Sequence, residues 1–220
     1  MIISPRETSL KDHVIKQLRI FFQLEESSEL EVLDASIAPA LERLEHAFSK
    51  INIPHYWHDA HEPCFNVLHT DQYGMFLYYL SNTVYKIHAQ YPLASKLYYL
   101  NKIFHSIDVF YEVELPSVFL MHHPVGSVLG RAFYSDYLSV AQQCTIGNNK
   151  GVYPRLGKHV TLMAGAMIIG DCSIGDHTII SARTLVKDHD VPANSIAFGT
   201  SPNLVIKSNV PDRCAYLWQA

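Results

Sequence analysis

The sequence lacks any run approaching the roughly 18 apolar residues needed to cross a bilayer. Its opening, Met-Ile-Ile-Ser-Pro-Arg-Glu, lacks the charged-then-apolar pattern of an export signal. A cytoplasmic location with no membrane partner is therefore expected. Cysteine is sparse: Cys64, Cys144, Cys172 and Cys214 are far apart and never form C-x-x-C, which excludes a zinc ribbon and a disulfide framework. Excess charge is small as well. The 17 Lys and Arg stand against 21 Asp and Glu, a net charge of −4, so no basic surface points to nucleic acid. What is present is 48% hydrophobic and 11% aromatic residues in a chain of 220. That suffices for one sizeable domain, or for two small ones sharing an interface.

Two periods divide the chain. From Ser9 to about Ile107 apolar residues recur at helical spacing, as in Val14, Leu18, Phe21 and Phe22, then Leu30, Leu33, Ile37, Leu41 and Leu44. Ser28 with Glu31 reads as a capping box for the second helix, and Asp71 as the N-cap of a third; Pro92 separates that helix from a fourth.

Past Pro116 the period becomes six. Leu156, Leu162, Ile168, Ile174, Ile180 and Val186 are aliphatic, and Val160, Ala166, Cys172, Thr178 and Thr184 are small or β-branched four residues after most of these. One hexad makes a short strand and a corner, three complete a triangular coil, and coils stack to bury their aliphatic positions. Toward the N-terminus the register extends through Ile146, Val140, Tyr134 and Val128 if 147–155 contains an inserted loop. The fold class is thus α+β: a helical domain over 1–115, a left-handed parallel β-helix over 116–207, capped beyond Pro192, and a tail over 208–220.

Four short segments go further. They are His123-Pro-Val-Gly126-Ser-Val128-Leu-Gly130, Met163-Ala-Gly-Ala166, Ile180-Ser-Ala182 and Ala197-Phe-Gly199-Thr-Ser-Pro202. Together with the order helices-then-coils, they resemble the serine acetyltransferases, members of the hexapeptide-repeat acyltransferases. The resemblance implies an O-acetyltransferase with acetyl-CoA as donor and no metal. It makes His123 the general base and Asp108, 15 positions earlier, its partner. Asn148, Ala164, Gly165, Ser181, Ala182 and Lys187 would line the donor groove; Ala164 and Ala182 are 18 residues apart and stack in one column. An uncharged imidazole suits removal of a hydroxyl proton near neutral pH. Family resemblance also implies a homotrimer with sites shared between neighbours, a hexamer being the larger alternative.

The departures fall on the acceptor side. His122 replaces an aspartate of that family, Tyr153-Pro154-Arg155 replaces an H-P-K-type segment, and Glu62-Pro63 and Asp71 lie where a third substrate-contacting aspartate is expected. His122, Tyr153, Arg155, Asp71 and Glu62 are the acceptor-contact candidates. The acceptor is a small hydroxyl compound, a serine-like amino alcohol or a sugar hydroxyl.

Blander readings compete at several positions. Cys144 and Cys172 fall at inward hexad positions, where a thiol packs as a small hydrophobe. His55, His58 and His61 form an H-x-x-H-x-x-H run that could hold a metal, but in a Pro-bounded loop without a further ligand signal. His159 and His177, 18 apart, should stack on the coil exterior. Two alternatives to acyl transfer use the same coil: a γ-carbonic-anhydrase-like zinc enzyme built on His123 and His159, which meets Ala164 where a third ligand is needed, and a non-catalytic assembly protein.

Overall fold

The computed structural model describes residues 1–5, 9–25, 28–59 and 61–219; Arg6 and Glu7 of the opening segment and Ala220 of the tail lie outside them. Four helices form the first half: α1 (Leu10–Phe21), α2 (Ser28–Phe48), α3 (Thr70–His88) and α4 (Tyr91–His105). α3 is central. It packs on α2 and α4, and from Asp71 to Val84 every residue is buried.

Both expected caps differ. Ser28 is already helical, and Glu29 rather than Glu31 reaches back, taking the Glu25 N–H at 2.8 Å. The residue before α3 is His69, which makes no side-chain cap. Asp71 lies within the first turn, and its carboxylate is claimed by a distant backbone amide instead.

The periodicity of the first half hides a small sheet. Ile2–Ser4 runs parallel to Glu62–Asn66, which pairs antiparallel with Trp57–His58. Strands this short carry too few residues to show a period of two.

The second half is the parallel β-helix. One face stacks Phe119–Met121, Leu138–Val140, Thr161–Leu162, Ile179–Ile180 and Ser195–Phe198. The second stacks Val128–Leu129, Thr145–Gly147, Met167–Ile169 and Leu185–Lys187. The third holds Arg155–Leu156 and Ser173–Ile174, extended by bridges at Phe133 and Val191. Val205–Ser208 turns back antiparallel on Ser195–Phe198 and ends the stack. All six aliphatic hexad residues from Leu156 to Val186 are buried, as are the small residues Val160, Ala166, Cys172, Thr178 and Thr184. Each buried aliphatic side chain contributes about 1.5–3 kcal/mol.

Register explains two details. Ile146 pairs with Ile168, 22 residues on, whereas Ile168 pairs with Val186, 18 on; the insertion lies in the turn where Asn149 bridges Val152. In the first coil the inward residue is Leu129, 1% exposed, and Val128 stands 41% exposed beside it. The turn from Leu129 to its partner Ile146 is one residue shorter than a regular coil, a separation of 17, whereas Met121 and Val140 on the first face are 19 apart. Extrapolation by sixes therefore lands one position early.

Close approach fixes one glycine. A Cβ at Gly175 would lie 2.3 Å from the Ala193 nitrogen of the next coil.

The tail runs back across the coil toward the helices. Asp212 meets His177, Ile51 bridges Trp218, and Lys50 and Asn52 exchange backbone hydrogen bonds with Gln219 and Leu217. A single hydrophobic core spans both halves.

Candidate active site

His122 and His123 follow the strand Phe119–Met121 and form the corner between the first and second faces. Gly126 (φ 75°), Gln143 (57°), Gly165 (71°) and Arg183 (57°) take a left-handed backbone at equivalent corners of successive coils. His123, φ 45°, is a further left-handed residue in the first corner, outside that repeating register. Main-chain bonds tie the column together: Gln143 N–H to Val125 O, Gly165 N–H to Gln142 O, and Arg183 N–H to Ala164 O.

Ala164, Gly165, Ser181 and Ala182 occupy this same column, below His123. The pairing of Leu162 with Ile180 carries Ala164 onto Ala182, as their spacing requires. Their small side chains leave the backbone of the corner approachable by an extended ligand. Asn148 and Lys187 lie instead at the far edge of the second face, next to Gly147 and Val186. There the Asn148 side chain accepts the Gly151 N–H, and the Lys187 N–H donates to Ser201 Oγ.

The other wall comes from the helical half. Asp71, 7% exposed, sits in the first turn of α3, where the helix dipole favours a negative charge. Its Oδ2 accepts the His123 backbone N–H at 2.9 Å and lies 3.7 Å from His123 Nδ1. Gln72, beside it, donates to His55 O and accepts the Asn66 N–H, pinning the preceding loop to α3. His55 stacks on His69, with ring centres 4.8 Å apart. Burial, partly offset by Asp71, holds His122 and His55 below the ordinary imidazole range, so both rings are neutral at neutral pH. His105 of α4, bonded through Nδ1 to Asn101, is driven down to about 4, chiefly by burial. The His123 ring itself is 85% exposed and free to meet a substrate.

The expected Asp108–His123 pair is not the arrangement formed. Asp108 joins the first coil through its backbone, bonding Ser127 O and Leu129 N–H. Its carboxylate accepts Tyr98 Oη at 2.7 Å and Lys102 Nζ at 2.6 Å. Burial pushes the Asp108 carboxyl up, but those two hydrogen bonds outweigh it and leave the group below the usual carboxylate range. The carboxylate beside His123 is Asp71.

Of the remaining candidates, Tyr153 and Arg155 lie on the third face. Arg155 covers the Phe133 ring at 3.9 Å, and Tyr153 neighbours Arg131, itself paired with Glu112. Glu62 belongs to the small sheet and faces the Met1 amino group at 3.3 Å. Within one chain neither group joins His123. His58 pairs with Asp59 and His61 is exposed, so the H-x-x-H-x-x-H run does not converge. Cys144 and Cys172 are buried, and burial raises both thiols.

His159 and His177 stack as expected, 4.6 Å apart and 8° from parallel, with Tyr137 continuing the column. With Asp212 they bring three ligand atoms within 4.8 Å. Parallel rings aim their in-plane lone pairs alongside each other, not at one point, and His177 already bonds Asp212. His159 also projects from a different corner than His123, so one chain does not assemble the carbonic-anhydrase-like ligand set.

Sequence reasoning missed His69, His105 and the contact of Asp71 with His123. No local motif signals them, because the partners are 52 residues apart and meet only when α3 docks on the first coil.

Residues 153–188 match the family described as "Bacterial transferase hexapeptide (six repeats)". A serine acetyltransferase of Synechococcus elongatus is 26% identical over 119 residues, 52% of this chain and 48% of that protein. The chain thus spans about half the length of that relative. A serine acetyltransferase of Helicobacter pylori is 25% identical over 146 residues, 64% of this chain and 84% of that protein. The structure of a serine acetyltransferase in complex with Coenzyme A, from Brucella abortus strain S19, aligns with a TM-score of 0.66 at 18% identity, covering 92% of this chain and 83% of that one. The chain has the hexapeptide-repeat β-helix fold and resembles serine acetyltransferases along most of its length.

Proposed function

We propose that the protein is an acetyl-CoA-dependent O-acetyltransferase, with His123 as general base and a small hydroxyl compound as acceptor, a serine-like amino alcohol or a sugar hydroxyl. The observation that carries this reading is the corner column, in which His123 stands above Ala164–Gly165 and Ser181–Ala182. A pantetheine arm laid along these small residues delivers its thioester to the imidazole. The named serine acetyltransferases among the relatives, and the complex of one of them with Coenzyme A, support the donor.

In the reaction the His123 ring takes the proton from the acceptor hydroxyl as its oxygen attacks the thioester carbonyl. Collapse of the tetrahedral adduct breaks the C–S bond, and the imidazolium returns the proton to the departing thiolate. The products are an acetyl ester and free CoA thiol. A positioned base contributes about 10²–10⁴-fold to such a step. The neutral rings of half-buried His122 and of His55 offer hydrogen bonds to an acceptor without adding charge.

Tyr153 and Arg155 stand on another face, so they reach an acceptor at His123 only from an adjacent copy. A homotrimer with its sites between neighbours is therefore part of the proposal, and two such trimers would make the hexamer.

The test is thiol release from acetyl-CoA by purified protein with a panel of amino alcohols and sugars. Turnover with at least one acceptor, reduced about 10²–10⁴-fold in His123→Ala, is the expected result. No thiol above background, or equal rates in the variant, sinks the proposal.

A further inference from the structure

The geometry points to Asp71 as the positioning residue that orients the His123 imidazole and stabilises its protonated form. This inference rests on the general-base reading and deepens it.

One carboxylate oxygen does two jobs. Asp71 Oδ2 holds the His123 backbone N–H at 2.9 Å and lies 3.7 Å from Nδ1. A modest ring rotation closes the second distance to a hydrogen bond, and such bonds are often long before substrate binds. With Nδ1–H directed at Asp71, Nε2 is the free lone pair that accepts the acceptor's proton. The imidazolium then finds a negative charge already in place, in the role a triad carboxylate plays elsewhere.

Three features suit Asp71 to this role. It is nearly buried, and the N-terminal turn of α3 favours its charge. Gln72 anchors the adjoining loop, which limits its movement. The titratable groups around it are His55, His105, His122, His123 and Tyr56, with His69 stacked on His55. Burial keeps His55, His105 and His122 uncharged and Tyr56 protonated, so none of these four competes as a cation for the carboxylate. Asp108 carries the opposite features: it is spent on Lys102 and Tyr98.

The experiment compares Asp71→Asn, Asp71→Glu, Asp108→Asn and His123→Ala in the acetyl-transfer assay, with kcat, the KM for acetyl-CoA and the pH–rate profile of each. Asparagine keeps an oxygen for the His123 N–H and removes only the charge, and a thermal unfolding scan verifies the fold of each variant. Expected for Asp71→Asn is a fall in kcat of about 10²-fold with the donor KM little changed. The acidic limb of its pH profile moves to lower pH, and Asp71→Glu restores that limb. Adding Asp71→Asn to His123→Ala lowers the rate no further, because the two act as a unit. Asp108→Asn loses less than Asp71→Asn.

Two outcomes overturn the inference while leaving the general base intact. One is a raised acceptor KM in Asp71→Asn with kcat and pH profile unchanged, which makes Asp71 an acceptor contact. The other is a larger kcat loss and limb shift in Asp108→Asn, which makes Asp108 the partner. An Asp71→Asn chain that does not fold passes the decision to Asp71→Glu, whose loss of the wild-type limb also counts against the inference. Full activity in His123→Ala removes the general-base reading itself.

Discussion

The coil and the helical half are built on different logics. In the coil each residue stacks on its counterpart one turn away, so Ile168 lies between Ile146, 22 positions before, and Val186, 18 after, and meets its own kind above and below. In the helical half the partners are unlike and far apart: Arg43 of α2 bonds Asn82 and Thr83 of α3, and Tyr78 serves both Val113 and Leu115 in the linker. The repeating half supplies a regular track of small residues, while the irregular half supplies the single carboxylate placed against the base.

The difference can be sharpened from its strongest consequence down. Ile168→Ala opens a cavity in a stack that cannot collapse without disturbing both neighbouring coils, and should lower stability by about 2–5 kcal/mol in urea unfolding. Because the core is continuous across both halves, one cooperative transition is expected. Two resolved transitions would mean that the halves are energetically separate.

Acid should act through the helical half. His105 is neutral in the fold, its pKa lowered from 6.5 to about 4, so the unfolded chain binds more protons below 6.5. The stability this ring contributes is fully present above 6.5 and is lost as pH falls toward 4, up to about 3 kcal/mol. Urea midpoints measured across that range should fall, and His105→Gln should fall less steeply; equal slopes would acquit His105.

The smallest effect is expected where charge is exposed. Lys102 is half-exposed on Asp108, and Lys102→Met should change stability by less than about 1 kcal/mol. A larger loss would show that Asp108 needs its lysine to remain in the first coil.

These contrasts also explain what could be read from the chain beforehand. The hexads from Leu156 to Val186 were legible because every period tests the one before. The count by sixes fails at Val128, because the turn from Leu129 to Ile146 is one residue short and nothing upstream corrects it. Val14, Leu18, Leu33 and Leu44 announced helices through their spacing. The small sheet at Ile2–Ser4 was silent because it is held by pairing across 62 residues rather than by any local pattern. At the site, His123 was legible from a local motif and from the coil corner it occupies. Its carboxylate was not, since a spacing of 15 pointed to Asp108, whereas the docking of α3 delivers Asp71 from 52 residues away. In the sequence alone Asp71 reads as an N-cap and an acceptor contact.

The tail that returns from the coil to Lys50 and Asn52 has a temporal consequence. Its contacts just past the end of α2 span up to 169 residues of chain, from Lys50 to Gln219, and they bring together a segment following the last coil and one preceding α3. Loop-closure entropy makes such pairings late events. Trp218 has no complete seat until Ile51 and Tyr137 are both in place, one from each half. The indole is thus an inspection seal on assembly: its burial reports that two independently patterned halves have each been finished and correctly joined.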